Sequence, residues 1–319
     1  MPAISSKAPG KTILTGEHAV VYGFPAIAVP LPEVTANVHI LANPLGAPGE
    51  IQIEAPAIQL NSSLRDLDDT HPFKLLLNRI ANEFSTNELP SFHLKISSSI
   101  PPASGLGSGA AVTVAITRAI SIFLGHPFPD EIVNAIAFEI EKQYHGNPSG
   151  IDNTVITYNK PVYFIKDEPH SFLELKSDLY LIVADTGIRS ETKSVVQAVR
   201  EASELNSSRF DSIFKQIGII SETAKHCIEE GNYSHLGDAL IENHHLLQEL
   251  GVSCPELDTL VQTALNVGAL GAKLSGAGRG GNMIAMIANG QQDKIIQALL
   301  DNGAIKAFAS RIPAKGKNE

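Results

Sequence analysis

Pro101-Pro102-Ala103-Ser104-Gly105-Leu106-Gly107-Ser108-Gly109-Ala110-Ala111 is the stretch on which the fold turns. It is a glycine-rich loop opening into an apolar run, Gly109–Leu124, where Thr113, Thr117, Arg118 and Ser121 alone make a narrow polar stripe at helical spacing. A helix apolar almost all round is a buried one, and Gly125 and Pro127 end it in the expected order. Unpaired N–H groups and the dipole at a helix N-terminus form an anion site, which glycines let a phosphate approach closely. A tight helix entry needs the same glycines, so the stretch alone leaves both readings open. Gly105–Ala110 also fits the loose GxGxxG/A fingerprint. The prolines before it, and the lack of an acidic residue ending a strand roughly 20 residues on, argue against a dinucleotide turn. The pattern GxxxxGK[ST] occurs nowhere in the chain.

Working outward, Phe92–Ile96 alternates like a strand before the loop, and Pro72–Phe84 has apolar residues at helical spacing. The chain up to about Ile40 reads as strands, with another at Ile51–Ile58. After the buried helix a second runs from about Asp130 to Tyr144. Thr154–Tyr158 and Pro161–Ile165, joined by Asn159-Lys160, resemble a hairpin. Leu179–Ala184 is a continuous apolar run, an interior strand. Helices follow at about Thr192–Ser203, Phe210–Glu230, Tyr233–Leu250 and Pro255–Val267, then strand Met283–Ile287, helix Gln292–Asn302 and a strand near Ala307–Ile312. Strands followed by segregated helices indicate an α+β fold, with a boundary near Ser177 and the site expected between the halves.

Three more segments carry chemistry. Lys273-Leu274-Ser275-Gly276-Ala277-Gly278-Arg279-Gly280-Gly281-Asn282 has too many glycines for a mere connection, given their entropic cost; it reads as a flexible loop that covers a ligand. Lys7-Ala8-Pro9-Gly10-Lys11 leads to Thr15-Gly16-Glu17-His18-Ala19-Val20-Val21-Tyr22-Gly23. There the lysines read as a solvated face and Glu17-His18 as a satisfied pair near a turn, although their place beside an apolar run favours a function. Glu141 lies in the last turn of its helix, where the dipole disfavours an anion and invites a cation such as Mg²⁺ or neighbouring Lys142. His145-Gly146-Asn147-Pro148-Ser149-Gly150-Ile151-Asp152-Asn153 follows, and Asp152 is either a general base or an Asx turn residue at the mouth of the hairpin. His244 and His245 are adjacent on a helix, point to different sides, and read as surface or substrate-side residues.

Composition narrows the class. The 319 residues, 43% hydrophobic and 18% charged, fit a globular protein of one large or two ordinary domains. A formal net charge of −10 argues against nucleic-acid binding. Cys227 and Cys254 are too few for a disulfide framework or a thiolate zinc site and read as reduced core thiols of a cytoplasmic protein. Neither a signal peptide at Met1–Lys7 nor a membrane span is legible, and the basic tail Lys315–Glu319 reads as a solvated end.

Together these segments resemble the GHMP kinases. Lys7–Gly23 is similar to that family's APGK and GEHAVVYG, Pro101–Ala111 to its PPxxGLGSSAA, Glu141–Asp152 to its glutamate and HGNPSGID, and Lys273–Gly281 to its KxTGAGGGG. Asn243–Leu247, Leu250–Ser253 and Leu257-Asp258 add a stretch similar to the branch whose acceptor is mevalonate. The resemblance implies a two-domain α+β GHMP kinase fold: a ribosomal-protein-S5-like N-terminal domain (1–177) and a ferredoxin-like C-terminal domain (178–319). ATP and Mg²⁺ are the implied cofactors. Pro101, Gly105, Leu106, Gly107, Ser108, Gly109 and Ala110 would hold ATP, with Glu141 and Ser108 on the metal. Asp152 would receive the hydroxyl proton and Lys11 would stabilise the transferring charge. Glu17, His18, Thr186, Arg189, Ser275, Gly276 and Ala277 would face the acceptor, with Ser190 and Lys193 nearby. The implied partners are mevalonate and ATP, with a homodimer left open and neither nucleic acid nor membrane. Rival acceptors are phosphomevalonate, homoserine and a sugar; a related decarboxylase and a non-catalytic ligand sensor are further alternatives. Two positions depart from the family: Gly109 stands where a second serine commonly binds Mg²⁺, and Arg279 where the family has glycine. That arginine either reaches a phosphate oxygen or points outward.

Overall fold

Strand alternation sets the first sheet: Phe92, Leu94 and Ile96 are buried while His93, Lys95 and Ser97 are exposed, the period of two of a half-buried strand. The computed structural model describes residues 3–101, 104–145 and 148–314, without the side chains of Tyr144 and His145. The readings at Met1-Pro2, Pro102-Ala103, Gly146-Asn147 and Lys315–Glu319 lie outside the described residues, as does that of the His145 side chain.

In chain order the elements are β1 (Ala3–Thr15), β2 (Ala26–Ala42), β3 (Ile51–Ala55), β4 (Leu60–Ser63), α1 (Pro72–Glu83), β5 (Phe92–Ser98), α2 (Ser108–Phe123), α3 (Asp130–His145), α4 (Ile151–Tyr158), β6 (Val162–Phe164), β7 (Ser171–Phe172), β8 (Leu179–Asp185), α5 (Thr192–Leu205), α6 (Ser207–Glu230), α7 (Tyr233–Glu249), α8 (Pro255–Val267), β9 (Gly271–Ser275), β10 (Asn282–Ile287), α9 (Gln292–Asp301) and β11 (Lys306–Ile312). Two units divide the chain: Met1–Gly10, Val34–Pro102 and Gly107–Asn159 in the first, Lys11–Glu33, Ala103–Leu106 and Lys160–Glu319 in the second. The domain boundary expected near Ser177 is a division that these units do not test.

In the first unit β5 pairs antiparallel with β2 (Val38 opposite Ile96) and parallel with β3 (Ile53 opposite Leu94), and β4 is antiparallel to β3. Helix α2 contacts α1, α3, α4 and β5, which is why its sequence is apolar nearly all round. Arg118 ties this bundle: its Nη2 donates to Asp130 Oδ1 of α3 at 2.6 Å and to the Thr157 carbonyl of α4 at 2.5 Å.

The expected hairpin is not there. Thr154–Tyr158 belongs to helix α4, and β6 pairs instead with β2, Ala28 opposite Val162. The β-branched Ile151, Thr154, Val155, Ile156 and Thr157 favour a strand. Gly150, in the left-handed region (φ 88°), starts a helix nonetheless, and Thr154 Oγ1 returns to the Gly150 carbonyl at 2.7 Å. Burial of Ile151, Val155 and Ile156 on packing overrides the propensity.

The second unit is built on a four-stranded antiparallel sheet in the order β11-β8-β10-β9. Ile182 and Ala184 of β8, Met283 of β10 and Leu274 of β9 share one core with Phe214, Ile217, Leu247, Leu257 and Ile295 from the helices. Strand β9 was hidden in the sequence because the glycine-rich reading begins at Lys273; the loop proper is Gly276–Gly281, joining β9 to β10. Helix α7 crosses β9 backbone to backbone, for a Cβ on Gly237 would lie 2.1 Å from the Leu270 carbonyl oxygen. Gly237→Ala should therefore lower stability by about 1–3 kcal/mol despite the better helix propensity of alanine, measured by urea denaturation; an unchanged midpoint would contradict this close crossing.

Candidate active site

In the first unit, Gly107 opens α2. Gly107 is its N-cap residue, held at φ 75°, where a side chain is strained, and among the described residues no side chain caps the helix. The first intrahelical bond runs from Ala111 N to the Gly107 carbonyl at 2.9 Å. The N–H groups of the first turn thus belong to Ser108, Gly109 and Ala110, on a helix end suited to an anion. Gly109 is exposed, and a Cβ there would meet no described residue within 4 Å.

Glu141, half-buried, is carried by the last turns of α3, and Asp152, also half-buried, by the first turn of α4. The dipole favours Asp152 at that position and disfavours Glu141 at its own. The buried Asn153 amide connects the two helices. In one amide orientation its nitrogen donates to Asn134 Oδ1 at 2.7 Å; in the other it donates to Glu141 Oε2 (3.2 Å) and the Gly150 carbonyl (2.9 Å). The sequence assigns Asn153 no role, although it closes the motif that contains Asp152.

In the second unit, Lys11 is only 4% exposed, so the solvated reading of this lysine is overturned. Its N–H donates to the Leu106 carbonyl at 3.0 Å, fixing β1 against the glycine-rich loop. From there to His18 the chain is stitched to β9 and the loop after it. Ser275 Oγ meets Thr12 Oγ1 at 2.7 Å and donates to the Ile13 carbonyl at 3.0 Å. The Lys273 ammonium donates to Glu17, and His18 Nε2–H donates to the Ala277 carbonyl at 2.9 Å. Glu17, through Oε1, and His18 take their partners from the glycine segment, not from each other.

The electrostatics follow from burial. Desolvation raises the Glu17 carboxyl above its ordinary range, opposed by Lys273 and by Lys11, and lowers the Lys273 ammonium, opposed by Glu17. Each partner favours the charged form of the other; removing one partner of such a pair typically costs about 3–5 kcal/mol. Burial also takes His18 down to about 4, so it is neutral and donates through Nε2.

The remaining acceptor-side candidates are held internally. Thr186 Oγ1 donates to the Gly281 carbonyl at 2.9 Å, Ser190 Oγ to that of Gly278 at 2.6 Å, and Arg189 Nη1 to Asp185 Oδ2 at 3.1 Å. Lys193 is exposed on α5. Arg279 directs its Nε to the Gly251 carbonyl at 3.3 Å, in an exposed left-handed residue (φ 56°). His244 is not a surface residue. It is buried, its Nδ1 accepts from Leu274 N at 3.3 Å, and Nε2 lies 3.2 Å from Asp258 Oδ1, off the line of a hydrogen bond.

Two family profiles, described as "GHMP kinases N terminal domain" and "GHMP kinases C terminal", match residues 73–160 and 224–305. A protein named mevalonate kinase from Pyrococcus horikoshii is 34% identical, the match covering 98% of this chain and 96% of its own. The one from Aeropyrum pernix is 31% identical over 98% and 97%. The chain belongs to the GHMP kinase family. Among solved structures, the L. major mevalonate kinase in complex with R-mevalonate superposes with a TM-score of 0.84 at 29% identity, covering 98% of this chain and 96% of that one. The Methanococcus jannaschii enzyme gives 0.85 at 26% identity, covering 98% of each.

The fold is therefore the two-domain α+β GHMP kinase fold. In this GHMP kinase, α2 offers a helix end suited to an anion and α3 and α4 carry two carboxylates, while Lys11, Glu17 and Lys273 are buried in the second unit. Such parts suit positioning and charge stabilisation, which phosphoryl transfer requires more than covalent help. Among the described residues no group of three or more His, Cys, Asp or Glu side chains could hold a metal. No helix among them is long and apolar enough to cross a membrane.

Proposed function

We propose that this GHMP kinase transfers the terminal phosphoryl group of ATP to the 5-hydroxyl of mevalonate, giving 5-phosphomevalonate and ADP, in the cytoplasm. The observation that carries the reading is the buried Lys11–Glu17–Lys273 cluster stitched to Ser275 and Ala277, in a chain similar over almost its whole length to proteins named mevalonate kinase. Roles divide at residue 177. Residues 1–177 carry the ATP loop and the proton acceptor; residues 178–319 carry the acceptor side and the closing glycine loop.

In this reading Pro101 and Gly105–Ala110 cradle the triphosphate on the α2 N-terminus. Asp152 receives the proton of the attacking hydroxyl, and Lys11 balances charge on the transferring group. Glu17, His18, Thr186, Arg189, Ser275, Gly276 and Ala277 place the acceptor. The Glu141 carboxylate and Ser108 hydroxyl are hard oxygen donors of the kind Mg²⁺ takes, and a pair of them fits an ion that keeps water and phosphate as its other ligands. When bound, Mg²⁺ neutralises phosphate charge.

The test is ADP release by purified protein with Mg²⁺-ATP and a panel of mevalonate, phosphomevalonate, homoserine and galactose. Release with mevalonate alone is expected; release with another acceptor and none with mevalonate overturns the assignment. Gly109→Ser gives a second check. Its side chain has room, so stability should rise by about 0.5 kcal/mol, and the Mg²⁺ concentration for half-maximal rate should fall. A raised Mg²⁺ requirement would contradict the metal placement.

A further inference from the structure

Lys273 is fully buried (0% exposed), and the proposed reaction assigns it no part. Its ammonium donates to Glu17 Oε1 and, at 2.6 Å, to the Leu274 carbonyl. The second Glu17 oxygen, Oε2, is buried and has no hydrogen-bond partner among the described residues. A pair needed only to fill the core could be replaced by apolar side chains at no loss of stability, whereas a buried carboxylate oxygen left without a donor is costly. A donor from a ligand would satisfy it, and a carboxylate accepts hydrogen bonds from hydroxyls. The turn is also fixed on either side, Ser275 holding Thr12 and Ile13 and Ala277 holding His18.

Resting on the proposed function, the chemistry narrows further. In that reading the C5 hydroxyl is the one that reacts, so the hydroxyl that remains for Glu17 is the tertiary one at C3 of the acceptor. We propose that Lys273 is a positioning residue for the acceptor: it holds Glu17 ionised and fixed, with Oε2 accepting a hydrogen bond from the C3 hydroxyl of mevalonate. The charged groups facing Glu17 are Lys273 from β9 and Lys11 from β1. Without Lys273, burial keeps the Glu17 proton on into a higher pH range, so acceptor binding weakens at neutral pH and returns as pH rises.

The experiment compares wild type, Lys273→Met, Glu17→Gln and the double variant, with mevalonate and with 5-hydroxypentanoate, which lacks the C3 hydroxyl. Both single variants should raise KM for mevalonate about tenfold or more, the loss expected for one charge-assisted hydrogen bond, leaving KM for ATP unchanged. Wild type and Lys273→Met should have equal KM for 5-hydroxypentanoate. Lys273→Met should show a kcat/KM for mevalonate that climbs with pH where wild type is flat. The neutral double variant should melt near wild type yet keep the raised KM, which also covers the case in which Lys273→Met fails to fold. An unchanged KM in Lys273→Met, or a double variant that regains both stability and KM, overturns the proposal and leaves Lys273 a structural residue. A wild type inactive on mevalonate overturns the functional reading and this proposal with it; an active wild type beside indifferent variants overturns this proposal alone.

Discussion

Replacing Asp152 with asparagine should lower kcat by about 10²–10⁴, the range a positioned general base contributes, while KM for ATP and the melting temperature change little. Asp152 sits half-buried in the first turn of α4, whose other supports are untouched: the Gly150 N-cap, the Thr154 bond to the Gly150 carbonyl and the burial of Ile151, Val155 and Ile156. Loss of the carboxylate charge at a helix N-terminus costs only about 0.3–1 kcal/mol, so the fold tolerates the change. A fall in kcat with unchanged nucleotide affinity is the mark of an interaction made in the transition state. Rapid-quench and steady-state rates with mevalonate measure it; undiminished turnover would remove Asp152 from the mechanism.

Lys11→Met should cost about 10²–10³ in kcat, comparable to deleting one preorganised electrostatic group. The substitution preserves volume at a position 4% exposed, and the backbone bond from Lys11 N to Leu106 does not depend on the side chain. Its effect on Glu17 is predictable in sign: Lys11 helps to hold that carboxyl down, so the variant's Glu17 takes up a proton at a higher pH than the wild type's. Lys11→Arg should fail to restore the rate, because a planar fork does not replace a compact ammonium in a buried site. A variant with full turnover would show that the lysine serves packing alone.

The parts of the fold written in local pattern were legible. Glycine before and after an all-apolar run marked α2, and the alternation of Phe92, Leu94 and Ile96 marked β5. What failed was information that lies elsewhere in the chain. Strand β9 has a lysine at its centre, and its partner Glu17 is 256 residues away, so no window of sequence shows the charge to be neutralised. The same distance made Lys11, Glu17 and His18 look like ordinary turn residues. Helix α4 misled through its β-branched composition, although Ile151, Val155 and Tyr158 already stood at helical spacing. His244 hid its bond to Leu274 in the same way. The glycine-containing motifs identified the segments of the candidate site, because backbone conformation is a local property. The polar partners that hold those segments were not legible, because packing is not.

The most direct test of the central claim is to incubate the purified protein with Mg²⁺-ATP and mevalonate and to follow the mixture by ³¹P NMR. The account predicts a phosphomonoester signal coupled to the two protons on C5, growing in step with ADP. ADP appearing with inorganic phosphate alone, or a phosphate ester on a different oxygen, would contradict it.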